Sequence, residues 1–402
     1  MASLRPLALW AVLLLPLVLS PLTGLLTPYV ALLVIVPLFA ATMVRGRAAD
    51  AYSSYAARAF VVVFAVLAAL FVATADGVSD ALMAFNFTML LCYGAIAYLL
   101  GQGAAERNAE RVAQLAGLGV LIGFLEVLAE AAMGSPRPSA INLGPIVLSN
   151  GLIALGLLSL GGALVRKDRW AWLYAVPPVL AIVATALTGS RGPLLALPVS
   201  AVVSVVVFWR VRLPHTPRTV MTGLVGLVLV AGAALLLILN GRAASLFRVV
   251  DTIATGGDVA DSSTLRRFAL YRAGWSSFLE SPWIGHGWGN IMQSVRPLLA
   301  PADADVGTLP QLHNDVLNFA VAGGIVGIGC WLAIISAPLI GAWLSPRDSL
   351  RTFRLYGATM LTLTYLGGGL TDLMFGFEFH TFLFVMLTAI LLAYCREGEA
   401  VR

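Results

Sequence analysis

Lysine is almost missing from this chain: of its 25 basic residues only Lys167 is a lysine, and the rest are arginine. Charge of either sign is scarce, at 11%, where a soluble domain carries about 25%. Cysteine occurs three times, at Cys92, Cys330 and Cys395. That odd, scattered set offers neither a disulfide framework nor the spacing of metal ligands. All three fall in apolar stretches and read as core or lipid-facing residues. The apolar stretches also lack the alternation over about ten positions that marks a membrane β-strand. These absences exclude a soluble domain, a disulfide-stapled secreted fold and a β-barrel.

What the chain has is apolar sequence, 59% of it, in recurring runs of about 20 residues, each long enough to cross a hydrocarbon core of about 30 Å as a helix. The runs predict spans at 6–22, 24–44, 58–75, 80–101, 111–133, 144–165, 170–188, 192–209, 219–240, 314–345, 355–371 and 377–395. The first reads as a span rather than a cleaved signal, because the next begins at once and no small-residue cleavage site stands out. The expectation is an all-α polytopic membrane protein of about twelve transmembrane helices, a single transmembrane domain over 1–402 without internal repeats.

Charge then orients it. The loops and termini on one side hold seventeen of the 25 basic residues, and most of those on the other side sit in one long loop, where charge bias says little. The net charge of +5 is therefore a sign of topology rather than of nucleic-acid binding, and both termini are expected on the cytoplasmic side.

The long loop, 241–313, faces the opposite side, and a loop of that length is usually functional or disordered. Within it, residues 264–280 show helical periodicity, with Phe268, Tyr271, Trp275, Phe278 and Leu279 near one face. Ser262, Ser263 or Thr264 would cap this helix, and Glu280-Ser281-Pro282 would end it. Trp275, Trp283 and Trp288 suit a helix lying at the membrane interface.

Three polar clusters map to this outer face. The first is the turn Thr188-Gly189-Ser190-Arg191-Gly192-Pro193. Its glycines let a backbone approach a ligand, Pro193 suits a helix start, and Arg191 would lie beside a helix N-terminus that favours anions. The second is Leu265-Arg266-Arg267-Phe268-Ala269-Leu270-Tyr271. There Arg267 and Tyr271, four residues apart, share a face, while Arg266 points about 100° away, toward the headgroups. The third is His313-Asn314-Asp315-Val316-Leu317-Asn318, where a span opens directly after the long loop. Histidine is the side chain best suited to take a proton near neutral pH, and Asp315 would pair with an arginine or orient the imidazole.

Simpler readings weigh on other residues. Arginines at a membrane surface also snorkel or meet lipid phosphate. Asp303-Ala304-Asp305 resembles a metal-holding pair but offers too few ligands and no phosphate cradle. His286 has no Cys or His partner at metal spacing, and His215 is expected in a cytoplasmic loop. For Glu126, Glu130, Asp372, Glu378 and His380, buried pairing with arginines is the simplest role.

Taken in order, these pieces resemble the O-antigen ligase family, membrane glycosyltransferases of the ligase and polymerase superfamily. The matching residues are Ser190-Arg191-Gly192; then Arg267-x-x-x-Tyr271 followed by Ser281-Pro282-Trp283-Ile284-Gly285-His286-Gly287; and His313-Asn314-x-x-Leu317 followed by Gly323-Gly324 and Gly327. Tyr271 and His286 stand where the family typically has tryptophan and valine.

The resemblance implies a GT-C-like fold and a metal-independent, inverting transfer of a glycan from undecaprenyl diphosphate to the lipid A-core. The reaction would need no cofactor and would occur on the periplasmic face of the inner membrane. It implies Arg191 and Arg267, with Arg266, at the diphosphate, His313 as general base, and Ser190, Tyr271, Asn314 and Asp315 in support. Guanidinium forks match phosphate geometry. An O-antigen polymerase shares all these features. A protein-glycosylating relative fits less well, since only about seven residues follow the last expected span. A transporter would show paired broken helices or charges near the midplane.

Overall fold

The computed structural model of the chain describes residues 4–102, 108–211 and 262–397. Among these there is no strand, only an isolated bridge between Ala140 and Leu143. A helix lies on every expected span within the described residues. These are α1, which runs from Leu4–Leu14 through Leu15–Leu19 to Thr23, α2 (Leu26–Val44) and α3 (Tyr55–Ala73). They continue as α4 (Val78–Gly101), α5 (Asn108–Ala132), α6 (Pro145–Leu164), α7 (Ala171–Leu187) and α8 (Gly192–Arg210). After α9 (Ser262–Glu280), the predicted loop helix, come α10 (Asp315–Leu344), α11 (Arg351–Gly369) and α12 (Glu378–Tyr394). The ninth expected span, 219–240, and the opening of the long loop, 241–261, lie outside the described residues.

Seven of the described helices are long and apolar enough to cross a membrane, and α1, α7 and α12 are shorter apolar helices. Their shafts expose large apolar side chains, such as Leu33, Val62, Val72 and Trp343, as lipid-facing helices do. Where helices meet, small residues admit a neighbour closely. A Cβ on Gly156 would lie 3.0 Å from the Pro178 backbone in α7, and one on Gly357 would lie 2.5 Å from Leu391 in α12. The three cysteines are buried and unpaired.

The span expected over 314–345 proves to be two limbs. Gly324 has φ 60° and ψ −149°, which no helix contains, and the chain reverses there. In a straight helix Phe319 and Gly327 would stand about 12 Å apart, and Asp315 and Trp331 about 24 Å. Instead, a Cβ on Gly327 would lie 2.2 Å from the Phe319 carbonyl oxygen, and the Asp315 carboxyl lies beside the Trp331 indole. The long limb, 325–344, runs along α3: just before it, at the turn, a Cβ on Gly323 would meet Leu70 near one end of that helix, and within it one on Gly341 would meet Ala56 near the other. At 1.5 Å per residue this limb is about 30 Å long, enough by itself to span. The short limb, 315–323, packs back against it, so its first residue lies about 12 Å along the bundle from the turn.

Reversing a helix frees backbone groups that must find partners. The loop after α9 supplies them. Pro282 O accepts from Ile325 N at 2.8 Å, His286 N donates to Val321 O at 2.8 Å, and Gly287 N donates to Ala322 O at 2.9 Å. The fit leaves no room for side chains. A Cβ on Gly285 would lie 2.4 Å from the carbonyl carbon of Ala322, and one on Gly324 would lie 2.4 Å from that of Trp283. Two stretches that look like separate motifs in the sequence, 281–287 and 323–327, are thus one interlocked unit.

At the opposite end of the bundle, the fully buried Arg354 anchors α11. It donates to Ser345 Oγ at 3.0 Å and to Cys395 O at 2.9 Å, and it pairs with Asp348 at 2.7 Å.

Candidate active site

The polar residues gather where the short limb of α10, the loop 370–377 after α11, the start of α8 and α9 meet. Asn314 caps the short limb, accepting from Leu317 N at 3.0 Å, and its amide donates to Leu370 O at 3.2 Å. His313, just before the cap, holds φ 52°. That left-handed conformation is uncommon outside glycine and marks a position that its surroundings impose. It turns the imidazole toward the loop after α11.

There His313 Nδ1 meets Asp372 Oδ1 at 3.1 Å. A carboxylate only accepts, so Nδ1 is the donor of this pair, and in the neutral imidazole Nε2 is the nitrogen left with a lone pair. Asp372 is nearly buried, and Gln311 also donates to its Oδ1, at 3.4 Å. Burial alone would push the Asp372 carboxyl up, but the hydrogen bond and charge of His313 and the amide of Leu373 outweigh it and hold the group below its usual range. The sequence offered Asp315 as partner of an arginine or of the imidazole, and an arginine as partner of Asp372. The structure corrects both, because the short limb turns Asp315 inward, to the backbone N–H groups of Met374 and Phe375.

Tyr271 joins α9 to this centre. Its hydroxyl donates to His313 O at 3.0 Å and reaches Leu370 O at 3.3 Å. Burial raises the pKa of this hydroxyl, and the Arg267 charge close by opposes the shift. Arg267 stands one turn before Tyr271 on α9. Arg266 is exposed and pairs with Asp305 at 3.0 Å, away from Tyr271. The acidic pair at 303–305 thus supplies an arginine's partner.

The arginine turn arrives from α8. Gly192 opens that helix so close to the loop that a Cβ on it would lie 2.1 Å from Thr371 Oγ1. Behind it, buried hydroxyls fix the turn: Thr188 Oγ1 donates to Ser190 Oγ at 2.9 Å and stands 3.0 Å from Ser149 Oγ. Arg191 itself is partly buried. The turn that carries Arg191 and the segments that carry Tyr271 and His313, far apart in sequence, therefore meet around residues 370–372. Asp372 is what sequence reasoning underrated. Its signal was a lone carboxylate in the short turn between two apolar spans.

The other candidates lie elsewhere or serve the fold. Glu130 accepts from Ser139 N at 2.6 Å, and no hydrogen-bond partner for Glu126 is found among the described residues. His286 hydrogen-bonds Ser277 O through Nε2 at 2.9 Å. His380 is buried among Phe377, Phe379 and Tyr365. Trp275 and Trp283 are exposed, as an interface requires, but Trp288 is buried against Phe71, Phe87 and Phe319, a core role rather than the expected interfacial one.

The fold is that of a polytopic helical membrane protein with a polar centre toward one end of its bundle. Residues 177–332, less than half of the chain, match the family model described as O-antigen ligase, so over that stretch the chain is similar to that family. The matched stretch contains Arg191, Arg267, Tyr271 and His313 and stops short of Asp372. No curated protein matches the chain.

Proposed function

We propose that this protein is an O-antigen ligase, which moves a completed glycan from undecaprenyl diphosphate to the lipid A-core at the periplasmic face of the bacterial inner membrane. The observation that carries the reading is the His313–Asp372 pair, set where the arginine turn and the Arg267–Tyr271 face converge. The arginine-rich loops at the opposite end of the bundle favour that end as cytoplasmic.

In this reading His313 Nε2 takes the proton of an acceptor hydroxyl as its oxygen attacks the anomeric carbon. The new C–O bond forms while the bond to the carrier diphosphate breaks, from the opposite face, so the configuration inverts. Asp372 holds the imidazole in the required tautomer and stabilises the charge it gains. The diphosphate leaves with its electron pair, and Arg191 and Arg267 neutralise it with forked donors. The free N–H groups at the start of the short limb of α10 add a favourable field. A base of this kind contributes about 10²–10⁴ in rate, and loss of one charge-stabilising contact costs about 10²–10³.

The test is a reconstituted reaction with purified protein, undecaprenyl-diphosphate-linked glycan and lipid A-core, with chelator present. Transfer by the wild type, and its collapse in His313→Ala, Arg191→Ala and Arg267→Ala proteins expressed at normal level, is the expected result. Near-normal transfer by His313→Ala would remove the base. In a deletion strain, free core with long carrier-linked glycan identifies a ligase, whereas core bearing a single repeat would point to the polymerase of the same superfamily.

A further inference from the structure

One buried carboxylate is left unused by that mechanism. Asp315 is fully buried at the start of the short limb of α10. Its Oδ1 accepts from Met374 N at 2.7 Å and from Phe375 N at 3.3 Å. Among the described residues no hydrogen-bond partner is found for its Oδ2, although the Trp331 indole lies beside the carboxyl, and a Cβ on Gly369 would lie 2.8 Å from this oxygen. A carboxylate buried in this way is a poor choice for stability alone, because an apolar side chain would avoid its desolvation.

Its contacts indicate what it contributes. Beyond Leu370 O, which accepts from Tyr271 and Asn314, the loop that bears Asp372 is held at three further places. The N–H groups of Thr371 and Asp372 bond Gly368 O, at 3.0 and 2.9 Å, at the end of α11. Gly376 N bonds Thr381 Oγ1 at 3.0 Å, in α12. Between these anchors, Asp315 takes the Met374 and Phe375 amides. It also lies two residues after His313 on the chain. Together with Asn314, Asp315 therefore ties the segment that carries the imidazole to the loop that carries its carboxylate.

We propose that Asp315 is a positioning residue that keeps Asp372 in register with His313. This inference rests on the reading of that pair as the base and its orienting partner. Asp315 acts through the backbone of the loop, so its loss leaves both catalytic side chains in place but lets their separation vary. A misplacement of about 1 Å in such an arrangement can cost about 10²-fold in rate.

The experiment uses the full chain in lipid nanodiscs, with two readouts. The first is hydrogen exchange at the 370–377 peptide. In Asp315→Ala the Met374 and Phe375 amides exchange about tenfold faster or more, as amides that have lost their acceptor do. Asp315→Asn keeps an acceptor oxygen and restores most of the protection. The second is glycan transfer. In Asp315→Ala kcat falls about 10–10²-fold with KM for the carrier-linked donor nearly unchanged. The double variant Asp315→Ala/Asp372→Asn is no slower than Asp372→Asn alone, because Asp315 then has nothing left to position.

Unchanged exchange in Asp315→Ala, or a double variant slowed by the product of the single effects, overturns the proposal. If Asp315→Ala fails to fold, Gly369→Ala displaces the carboxylate without removing it and is expected to raise exchange at the same two amides; unaltered exchange there overturns the proposal equally. Failure of the wild type to transfer glycan would refute the proposed function instead, and the exchange readout would still decide the tether.

Discussion

His313 Nδ1 and Asp372 Oδ1 stand 3.1 Å apart although the chain between them turns back within α10 and then crosses the bundle along α11. The pairing fixes which imidazole nitrogen is free. Asp372→Asn can present its amide nitrogen to Nδ1 and so favour the wrong tautomer. We expect transfer by that variant to fall by about 10², at the lower end of the 10²–10⁴ range expected for His313→Ala. Single-turnover rates in membranes at matched expression check both. An Asp372→Asn rate within twofold of wild type would remove the orienting role.

The same pair makes a prediction about stability and pH. Asp372 is held below its usual range by His313 and the Leu373 amide, despite the opposing effect of burial. A carboxyl with a depressed folded-state pKa contributes stability above its unfolded value of about 3.9, and that contribution disappears as pH falls through the folded value. Thermal unfolding in detergent should therefore show Asp372→Asn less stable than wild type at pH 6, with the gap closing as pH drops below about 4. A gap that stays constant from pH 6 to pH 3 would contradict the linkage.

The turn within α10 predicts a contrast between adjacent glycines. Gly324 combines a positive φ with a conformation that essentially only glycine adopts, and its Cβ would meet the Trp283 backbone at 2.4 Å. Conformational strain alone costs about 1–3 kcal/mol there, and the backbone of 282–287 cannot move aside without losing its bonds to Val321, Ala322 and Ile325. Among the described residues an added Cβ at Gly323 meets only Leu70 Cδ2, the end of a flexible side chain, at 2.8 Å. Gly324→Ala should lower the melting temperature and the yield of folded protein sharply, while Gly323→Ala should change both little. Equal effects would mean that the interlock is not what holds the reversal.

Much of this architecture was legible beforehand, for a physical reason. Lipid requires each crossing to satisfy its own backbone, so helices announce themselves as apolar runs about 20 residues long. Every expected span within the described residues accordingly coincides with a helix. The reversal at Gly324 was hidden, because both limbs are apolar and periodicity does not reveal direction. Only the glycines at 323, 324 and 327 hinted at it. In the site, Arg191, Arg267 and His313 stood out as polar residues in an apolar chain. Asp372 did not, since its role depends on a partner fifty-nine positions earlier. Asp315 was read as the partner of an arginine or of the imidazole, the latter because it is a sequence neighbour. The short limb of α10 turns it the other way.

The contact between Gly192 and Thr371 gives the last prediction. A Cβ at Gly192 would lie 2.1 Å from Thr371 Oγ1 and 3.0 Å from Thr371 Cβ. Neither atom tolerates that approach, but the first belongs to a side chain that can be removed. Gly192→Ala should push Thr371 aside and displace the adjoining Asp372, lowering transfer by about 10²-fold, the cost of roughly 1 Å in a catalytic arrangement. Removing the hydroxyl by Thr371→Ala should have a small effect alone, because its only described hydrogen bond is the one to Gly368 O at 3.2 Å. Combined with Gly192→Ala, it should restore much of the lost rate, a coupling that residues in contact show and distant ones do not. The cycle of two single variants and the double, assayed for transfer and melting temperature, measures that coupling. If the double variant loses the product of the two single effects, the arginine turn and the Asp372 loop act independently, and Arg191 does not belong to the same site as His313.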